Sequence, residues 1–311
     1  MPVVLITGGT GTVGKRLAEM LLQKGYEVAV LSRKDGDAAA GVRHFRWNPG
    51  QNDIDPAAIA SADFIVHLAG AGVADRRWTQ QRKQEIADSR SQSSALIVSA
   101  LRRFRNKVQC VVSASAIGWY GPDPAGTSFA GAAQKGFDES APASPDFLGE
   151  TCRQWESGIS PVTEQGIRLV ILRTGIVLSN GAGAFAELKK PLRFRMAAIL
   201  GNGRQMISWI HLDDLCNQYI FALEHPQLRG VYNAVAPHPV TNQTLTLKLA
   251  KKCCGSLYIP FHVPAFVLKT VLGEMSIEVL KSTTVCADKI SAAGFPFQFP
   301  SIDLAIDQLI P

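Results

Sequence analysis

The chain has 311 residues and a formal net charge of +6, with 46% hydrophobic and 19% charged residues. This balance is typical of a globular protein with a substantial core and excludes a disordered chain. No apolar stretch approaches the roughly 18 residues of a membrane span, and the first predicted strand begins without a charged leader. We therefore expect a cytoplasmic protein with no membrane partner.

The cysteines and the basic residues indicate no specialised site of their own. None of the six cysteines belongs to a CxxC pair or has a histidine at ligand spacing, so the sequence predicts no metal site and no disulfide framework. Basic residues are scattered apart from short groups at 76–77, 102–105 and 189–195, and no nucleic-acid-binding motif accompanies them. A cleft for an anionic cofactor and substrate explains the charge more simply, so we expect a small-molecule substrate and no nucleic acid.

The N-terminal segment has the pattern of a strand, a glycine turn and a helix. Val3 to Ile6 is an apolar, mostly β-branched run of the kind that a parallel sheet buries on both faces. Gly8, Gly11 and Gly14 follow at a spacing that suits a tight turn, close approach of a pyrophosphate, and close packing of the helix. A helix from Thr12 would direct its N–H groups and positive dipole end at the phosphates. The segment therefore predicts a dinucleotide cofactor.

The residues after the next predicted strand, Tyr26 to Leu31, indicate which dinucleotide is bound. An acidic residue there would hold the adenosine 2′-hydroxyl of NAD. Ser32, Arg33 and Lys34 instead offer a hydroxyl and two cations to a 2′-phosphate. The sequence therefore predicts NADP(H).

Strands and helices alternate over the first 180 residues, which is the pattern of a doubly wound parallel sheet. The further strands are predicted at Val42–Arg46, Phe64–Leu68, Val108–Ala114 and Arg168–Leu172, and the helices at Pro56–Ala60, Thr79–Phe104 and Asp146–Gln165. We therefore expect an α/β fold with an NADP-binding Rossmann domain over residues 1–180.

After Gly175 the sequence changes to glycine-punctuated loops and shorter elements. This change predicts a smaller substrate lobe over residues 181–311, with parts of 201–240 returning to the Rossmann domain. Its predicted elements are a helix near Phe185–Ile199, a strand at Ile207–Ile210, a helix from Asp213, and helices near Asn242–Cys253, Pro264–Leu272 and Ile302–Leu309.

Several strings carry a resemblance to a known superfamily. With TGGTGTVG at 7–14, HLAG at 67–70, SASAIGWYG at 113–121 and WIHLDD at 209–214, the chain resembles the extended short-chain dehydrogenase/reductases over nearly its whole length. The longer strings AGAGVADRRW, FLGETCRQWE and VLGEMSIEVLKSTTVCADKISAAGFPFQFP resemble its atypical, epimerase-like NAD(P)-dependent branch. That branch carries its own C-terminal domain, here about residues 250–300.

The resemblance implies a cofactor cleft at the carboxyl ends of the strands, and it assigns residues to each part of the cofactor. The pyrophosphate would lie on Thr7, Gly8, Gly11, Thr12, Val13 and Gly14, the 2′-phosphate on Ser32 and Arg33, the adenine ribose along Leu68, Ala69 and Gly70, and the nicotinamide near Arg173, Thr174 and Gly175. Dimers through paired long helices are common in the superfamily, so a homodimer is open for this chain.

The catalytic pair of the superfamily is missing. Active members carry Tyr-x-x-x-Lys on one helix face, and the lysine lowers the tyrosine pKa for proton transfer. The matching positions here are Leu148 and Cys152, and no tyrosine or lysine occurs between 147 and 165. Ser113 or Ser115 matches the superfamily serine, and Tyr120 is the nearest phenol in sequence. These three residues are the catalytic candidates, although Tyr120 fits a pocket wall as well as a proton-transfer role.

Two histidines and the absence of one arginine also bear on the predicted site. His67 ends a buried strand and is expected to be structural, and His211 is expected to organise a loop, with Asp213 as the cap of the following helix. Sugar-nucleotide members often carry a diphosphate-binding arginine where this chain has Ile207, which weakens the case for a nucleotide sugar. Further candidates for groups near the nicotinamide are Arg77, Lys83 and Glu150.

Two functions follow from these observations. The first is an NADP(H)-dependent oxidoreductase or epimerase that acts on a small polar substrate, with a nucleotide sugar as one possibility. The second is an NADPH-binding sensor or scaffold that has lost catalysis together with the Tyr and Lys pair.

Overall fold

A computed structural model describes residues 1–33, 41–124, 136–181 and 183–310. The strands in chain order are β1 (Val3–Thr7), β2 (Glu27–Ser32), β3 (Val42–Asn48), β4 (Asp53–Ile54), β5 (Phe64–His67), β6 (Cys110–Ala116), β7 (Arg168–Thr174), β8 (Ile176–Leu178), β9 (Met196–Leu200), β10 (Met206–Ile207), β11 (Trp209–His211), β12 (Gly230–Ala234), β13 (Val240–Thr241) and β14 (Ile259–Val263). The α-helices are α1 (Thr12–Gln23), α2 (Pro56–Ser61), α3 (Gln80–Arg103), α4 (Phe147–Ile159), α5 (Ala184–Leu192), α6 (Leu212–Glu224), α7 (Asn242–Cys254), α8 (Ala265–Leu272), α9 (Ser276–Leu280), α10 (Asp288–Ala292) and α11 (Ile302–Leu309). Short 3₁₀ turns occur at Pro49–Gln51, Ile117–Trp119, Ser160–Gln165 and Gly273–Met275.

Eight strands form one large sheet in the order β12-β7-β6-β5-β1-β2-β3-β4. Every neighbouring pair in it is parallel except β3 and β4, which pair antiparallel. The chain builds outward from β1 through β2 and β3, then returns to add β5 on the other side of β1. The predicted doubly wound α/β fold is confirmed, and the reversal places a crevice at the carboxyl ends of β1 and β5.

The alternation of β1 side chains explains why both sheet faces are covered. All five residues of β1 are buried. Val4 and Ile6 pack with residues of α1 and α6, whereas Val3 and Leu5 pack with residues of α2, α3 and α4 on the opposite face. Because successive side chains of a strand point to opposite faces, this continuous apolar run requires helices on both sides.

A third apolar core lies under the later elements. It joins residues of β8, α5, β9, α7 and α11 around the buried Trp209. By contrast, β12 is an edge strand of the large sheet, and α6 packs on α1. The division into a Rossmann domain and a lobe at about residue 180 stays a prediction. Among the described residues, no helix is long and apolar enough to cross a membrane.

The predicted helix near Phe185–Ile199 is wrong in its second half. Helix α5 ends at Leu192, and Arg195 then takes a left-handed conformation with φ of 57°. The chain continues as β9, which pairs in parallel with β14 from Met196 opposite Ile259 to Leu200 opposite Val263. The left-handed Arg195 redirects the chain after the helix has ended, and the partner strand gives the following backbone its hydrogen bonds.

The predicted cap of α6 is also wrong. His211, not Asp213, occupies the N-cap position, and its Nδ1 accepts a hydrogen bond from the Asp213 N–H at 3.1 Å. The Asp213 carboxylate instead receives the Arg16 guanidinium of α1, with 2.7 Å from Nε to Oδ1. Asp213 therefore joins α6 to α1 rather than capping its own helix.

Candidate functional site

The glycine turn after β1 is closely packed. Gly8 has φ of +70°, and a Cβ there would lie 3.0 Å from the carbonyl carbon of Leu68. A Cβ on Gly14 would lie 2.5 Å from the carbonyl oxygen of Gly8, so the helix packs directly on the turn. Gly9 was missed by the sequence interpretation, yet a Cβ there would come within 2.6 Å of the Val30 side chain. Steric fit and backbone conformation thus explain three of the four glycines in this turn.

The N-terminus of α1 is open to an anion. Gly11 holds the N-cap position, no side chain caps the helix, and its first turn contains no acidic residue. The other long helices beside the large sheet differ, because Thr79 caps α3 and Asp146 caps α4. Uncapped N–H groups at the positive end of a helix dipole fit a phosphate. The turn therefore suits the pyrophosphate of a dinucleotide.

The loop after β5 borders the same crevice. The backbone N–H groups of Leu68 and Ala69 donate to Thr7 Oγ1 at 3.0 and 3.1 Å. The structure thus brings together the predicted segments at 7–14 and 68–70. Gly70 faces α3, where a Cβ would lie 3.1 Å from Arg90 Cζ.

Basic residues converge where the adenosine 2′-phosphate was predicted. Ser32 is half-buried at the end of β2 and Arg33 is exposed after it, whereas Lys34 lies outside the described residues. The pKa of Glu85 on α3 is lowered, chiefly by its hydrogen bond with Arg82 and also by the charges of Arg76 and Arg33. The charges of Arg33 after β2 and of Arg76 before α3 therefore both act on Glu85.

Arg90 is a candidate cofactor-binding residue that was not identified from the sequence. Its Nη1 donates to the carbonyl oxygens of Ala71 at 3.0 Å and Ile86 at 2.8 Å, and its Cζ lies 4.8 Å from the centre of the Trp155 ring. It forms no ion pair with a carboxylate of the described residues, and burial lowers its pKa to about 10. The sequence contains one indication of this position. Arg90 follows the buried Ile86 by four residues, so the two side chains share the helix face that packs toward the sheet.

Two of the predicted catalytic residues belong to a buried polar network. Ser115, Arg173 and Asn233 are register neighbours across β6, β7 and β12, so they lie in a row. Arg173 and Glu156 form a bidentate ion pair with Nε–Oε1 and Nη2–Oε2 distances of 2.8 and 2.9 Å. Ser115 Oγ donates to Glu156 Oε1 at 2.6 Å, and Arg173 Nη1 donates to the Tyr120 hydroxyl at 3.1 Å. The hydroxyls of both candidates are therefore already engaged.

The surroundings of Tyr120 hold it in its protonated form. Its hydroxyl donates to Asn233 Oδ1 at 2.5 Å, and its ring stacks on Phe137 with centroids 5.3 Å apart. Burial raises the pKa of Tyr120 to about 12, although the nearby Arg173 acts in the opposite direction. The guanidinium of Arg173 in turn lies 3.6 Å from the centre of the Trp119 ring.

The positions of the missing catalytic pair are filled by close packing. Leu148 and Cys152 face the 3₁₀ turn at Ile117–Trp119, where a Cβ on Gly118 would lie 3.1 Å from Leu148 Cβ and 3.8 Å from Cys152 Sγ. Burial raises the pKa of the Cys152 thiol to about 11, so it stays protonated at neutral pH. The third catalytic candidate, Ser113, is fully buried on β6, and its Oγ donates to the Ala114 carbonyl oxygen at 3.1 Å.

The remaining residues predicted near the nicotinamide lie where the large sheet meets the later elements. The Gly175 N–H donates to the Ala234 carbonyl oxygen at 3.0 Å, and a Cβ on Gly175 would lie 2.6 Å from the Ser208 carbonyl oxygen. Thr174 Oγ1 donates to the Leu172 carbonyl oxygen at 3.3 Å. Ile207 is half-buried and pairs with Val240.

Three further candidates contact other protein groups. Lys83 forms an ion pair with Glu274, and Arg77 Nη2 donates to the Thr270 carbonyl oxygen at 2.9 Å. Glu150 forms an ion pair with Arg153, which lowers its pKa. Lys83 and Arg77 therefore join the start of α3 to the segment from α8 to the Gly273–Met275 turn.

The fold and the crevice define a dinucleotide-binding protein of the extended short-chain dehydrogenase/reductase type. Residues 4–235 match the model of the NAD dependent epimerase/dehydratase family, and residues 263–309 match a domain of unknown function, DUF1731. The chain belongs to the NAD dependent epimerase/dehydratase family.

Relatives extend this similarity over the full chain. An epimerase family protein of Staphylococcus saprophyticus is 32% identical over 310 residues, which are 98% of each chain. One of Mycobacterium leprae is 31% identical over 305 residues, covering 98% of this chain and 94% of its own. The crystal structure of human epimerase family protein SDR39U1 with NADPH has a TM-score of 0.84 at 27% identity, over 99% of both chains. A nucleoside-diphosphate sugar epimerase from Corynebacterium glutamicum has a TM-score of 0.78 at 28% identity, over 100% of this chain and 58% of its own.

Proposed function

We propose that this chain is an NADP(H)-dependent oxidoreductase or epimerase of the atypical extended type, acting on a small polar substrate. The observation that carries the proposal is the uncapped N-terminus of α1, which follows the glycine turn that packs against Leu68 and Ala69 of the loop after β5. In this proposal Thr7, Gly8, Gly11, Thr12, Val13 and Gly14 hold the pyrophosphate, and Leu68, Ala69 and Gly70 pass the adenine ribose. Arg173, Thr174 and Gly175 stay assigned to the nicotinamide side.

The preference for NADP(H) rests on the charge around the end of β2. Arg33 is exposed and forms no ion pair with any carboxylate that the structure describes, and in this proposal its guanidinium contacts the 2′-phosphate. Ser32 adds a hydroxyl beside it. A bidentate contact between a guanidinium and a phosphate is the strongest neutral-pH means of selecting a 2′-phosphate over a hydroxyl. The NADPH in the human relative supports the same preference.

Arg90 provides a cation on the α3 side of the crevice, where the chain lacks the usual lysine. Its charge acts on the Cys152 thiol, which occupies that lysine position, and opposes the dominant effect of burial on the pKa of the thiol. Its guanidinium is half-buried, donates through Nη1 to two backbone carbonyl oxygens, and has no carboxylate partner among the described residues. We therefore assign Arg90 to hydrogen bonds with the ribose or phosphate oxygens of the cofactor.

When bound, the nicotinamide supplies hydride transfer at its C4 atom. In this proposal Ser115 and Tyr120 hold the carboxyl end of β6 in place through their hydrogen bonds with Glu156 and Arg173. Ser113 is buried on the same strand and donates to the Ala114 carbonyl oxygen. Proton transfer by Tyr120 requires its hydroxyl to leave Asn233, since that contact uses its proton. The candidates for contact with substrate are thus still Ser113, Ser115 and Tyr120. Their first role in this proposal is to position the carboxyl end of β6.

A cleft of about 890 Å³ in the later part of the chain is the proposed entry for substrate. Arg204, Gln243 and His262 line it. Its single arginine and its amide groups suit a small polar or anionic molecule. A nucleotide sugar would need another partner for its diphosphate, because Ile207 stands where related proteins often have an arginine.

The proposal is tested first by cofactor binding and then by turnover. In calorimetric titrations with NADPH and with NADH, the full chain should bind NADPH tightly. Candidate ketones, quinones and nucleotide sugars are then mixed with protein and NADPH while absorbance at 340 nm is followed. If the protein binds neither NADPH nor NADH, the proposal is refuted.

Cofactor choice has its own test. Arg33→Ala should weaken NADPH binding about ten-fold and leave NADH binding nearly unchanged, since one charged hydrogen bond contributes about 1.5 kcal/mol or more. Arg105→Ala is the matched control, because Arg105 is also exposed but lies in the loop between α3 and the amino end of β6. Equal loss for both cofactors would contradict the assignment of Arg33.

One observation favours a second function, that of an NADPH-binding sensor or scaffold without turnover. Helix α4 carries neither tyrosine nor lysine, and the hydroxyls of Ser115 and Tyr120 are committed to protein partners. Such a protein would bind NADPH and NADP⁺ with different affinities and would turn over none of the candidate substrates. Stoichiometric oxidation of NADPH by any of those compounds would remove this alternative.

A further inference from the structure

We propose that His67 is a positioning residue that sets the spacing between the glycine turn after β1 and helix α3, the two segments that flank the cofactor crevice. The inference rests on the proposed binding of NADP(H) at this crevice. It assigns to His67 a directed hydrogen-bond relay from Thr7 to Ser93 and Ser94, rather than a general filling role in the core.

The first step of the relay is fixed by the hydroxyl of Thr7. Thr7 Oγ1 lies 2.8 Å from His67 Nδ1 and accepts the N–H groups of Leu68 at 3.0 Å and Ala69 at 3.1 Å. A hydroxyl has one proton and two lone pairs. The Ala69 N–H and the Leu68 N–H, which also contacts the Thr7 carbonyl oxygen at 3.2 Å, are directed at these lone pairs, so we infer that the proton is donated to Nδ1. His67 must then carry its own proton on Nε2.

The second step follows from that tautomer. His67 Nε2 lies 3.2 Å from Ser94 Oγ and 3.4 Å from Ser93 Oγ, both on α3. Ser93 Oγ donates to the Arg90 carbonyl oxygen at 3.1 Å, which leaves its lone pairs free to accept from Nε2. The relay therefore runs from the end of β1, through β5, to the turn of α3 that carries Arg90.

The surroundings of His67 make these the bonds that orient the ring. The residue is fully buried, its backbone pairs with Thr7 on one side and Ser113 on the other, and its ring meets the edge of Trp155 at a centroid distance of 6.5 Å. Burial, together with the charge of Arg90, lowers the pKa of His67 to about 4, so the ring is neutral at physiological pH. A neutral imidazole can accept at one nitrogen and donate at the other, which the relay requires.

Two substitutions separate the two arms of the relay. In His67→Asn, the side-chain oxygen takes the place of Nδ1 and can still accept from Thr7. In His67→Gln, the amide reaches the place of Nε2 and retains the α3 contact, but Thr7 loses its acceptor. We expect His67→Gln to weaken NADPH binding about ten-fold and His67→Asn to weaken it less than about three-fold. Thr7→Val should reproduce the Gln variant.

A readout without cofactor separates this inference from the proposed function. Amide hydrogen exchange of Leu68 and Ala69, followed by NMR on the cofactor-free protein, reports whether Thr7 still holds the loop. We expect exchange at both amides to be faster in His67→Gln than in His67→Asn, with circular dichroism showing that both variants are folded. Equal exchange in the two variants would overturn the inference even if NADPH binds. Failure of the unmodified chain to bind NADPH, with unequal exchange, would instead remove the proposed function and leave the relay in place.

Discussion

Removing the charge of Glu156 tests the buried network directly. In Glu156→Gln the side chain keeps its shape, but the Arg173 guanidinium loses its carboxylate partner. The side chains of Arg173 and Glu156 are 3% and 10% exposed, so water cannot replace the lost interaction. Breaking a buried ion pair on one side typically costs about 3 to 5 kcal/mol.

The structure places the expected cost at the lower end of that range. Arg173 keeps the Tyr120 hydroxyl at 3.1 Å, the Glu139 carbonyl oxygen at 3.3 Å and the face of Trp119 at 3.6 Å. A guanidinium over a desolvated aromatic face gains up to about 2 kcal/mol. We therefore expect Glu156→Gln to lower the free energy of unfolding by about 3 kcal/mol.

The assay is urea unfolding, followed by tryptophan fluorescence and circular dichroism on the same samples. Glu150→Gln is the matched control, because Glu150 lies on the same helix and pairs with Arg153 at 2.7 Å, with side-chain exposures of 44% and 56%. An exposed pair of this kind contributes less than about 0.5 kcal/mol. If both substitutions lower the unfolding free energy by the same small amount, the reasoning about burial is refuted.

The double variant Glu156→Leu with Arg173→Met extends the same test. It removes both charges at once and leaves no unpaired ion in the interior. Replacement of a buried ion pair by apolar residues is often close to neutral, so we expect the double variant to be more stable than Glu156→Gln. A double variant that is less stable would show that Ser115 and Tyr120 depend on the charged pair for their own hydrogen bonds.

Three other predictions concern His67, Arg90 and the cysteines. The pKa of His67 is lowered from 6.5 to about 4, so its contribution to stability is fully present above pH 6.5 and is lost as the pH falls through 4. The loss of stability amounts to about 3 kcal/mol. The urea midpoint of the unmodified chain should therefore fall as the pH falls from 6.5 to 4, and this fall should be missing in His67→Asn. Arg90→Met should weaken NADPH binding at least about ten-fold, because it removes the proposed hydrogen bonds to the cofactor. It should also lower the melting temperature of the cofactor-free protein, because Arg90 Nη1 donates to the Ala71 and Ile86 carbonyl oxygens; unchanged NADPH affinity in the folded variant would contradict the assignment of Arg90. A thiol reagent should modify the exposed Cys253 first and the buried Cys152 only after unfolding, as peptide mapping of the labelled protein would reveal.

The features predicted well from sequence are those that depend on local spacing. Gly8 and Gly14 have fixed separations along the chain, and the apolar run of β1 requires cover on both faces. The strand β9 was missed because its partner, β14, lies more than 60 residues further along the chain. No local pattern distinguishes Met196–Leu200 as the end of a helix from a short strand that pairs at such a distance.

The polar network shows a second kind of limit. Ser115, Tyr120 and Arg173 were each identified from sequence, but as separate candidates for different tasks. Their association depends on β6 and β7 being neighbours with Ser115 opposite Arg173, which is a property of the sheet order. Once that order is known, Glu156 on α4 is the carboxylate that the buried arginine requires. Sequence therefore identified the polar residues, and the fold determined that they contact one another.

The close contact at Gly118 bears on how the missing catalytic pair should be interpreted. A Cβ there would lie within 3.1 Å of Leu148 Cβ, and Cys152 Sγ already lies 3.6 Å from the Ala116 carbonyl oxygen. A lysine at position 152 would add three heavy atoms into this contact and would displace the turn at Ile117–Trp119. That turn carries Trp119, whose ring covers the Arg173 guanidinium, so the displacement would also disturb the buried ion pair. The loss of Tyr and Lys is therefore coupled to the packing of a whole turn, and two reverse substitutions alone would not rebuild the usual proton-transfer site.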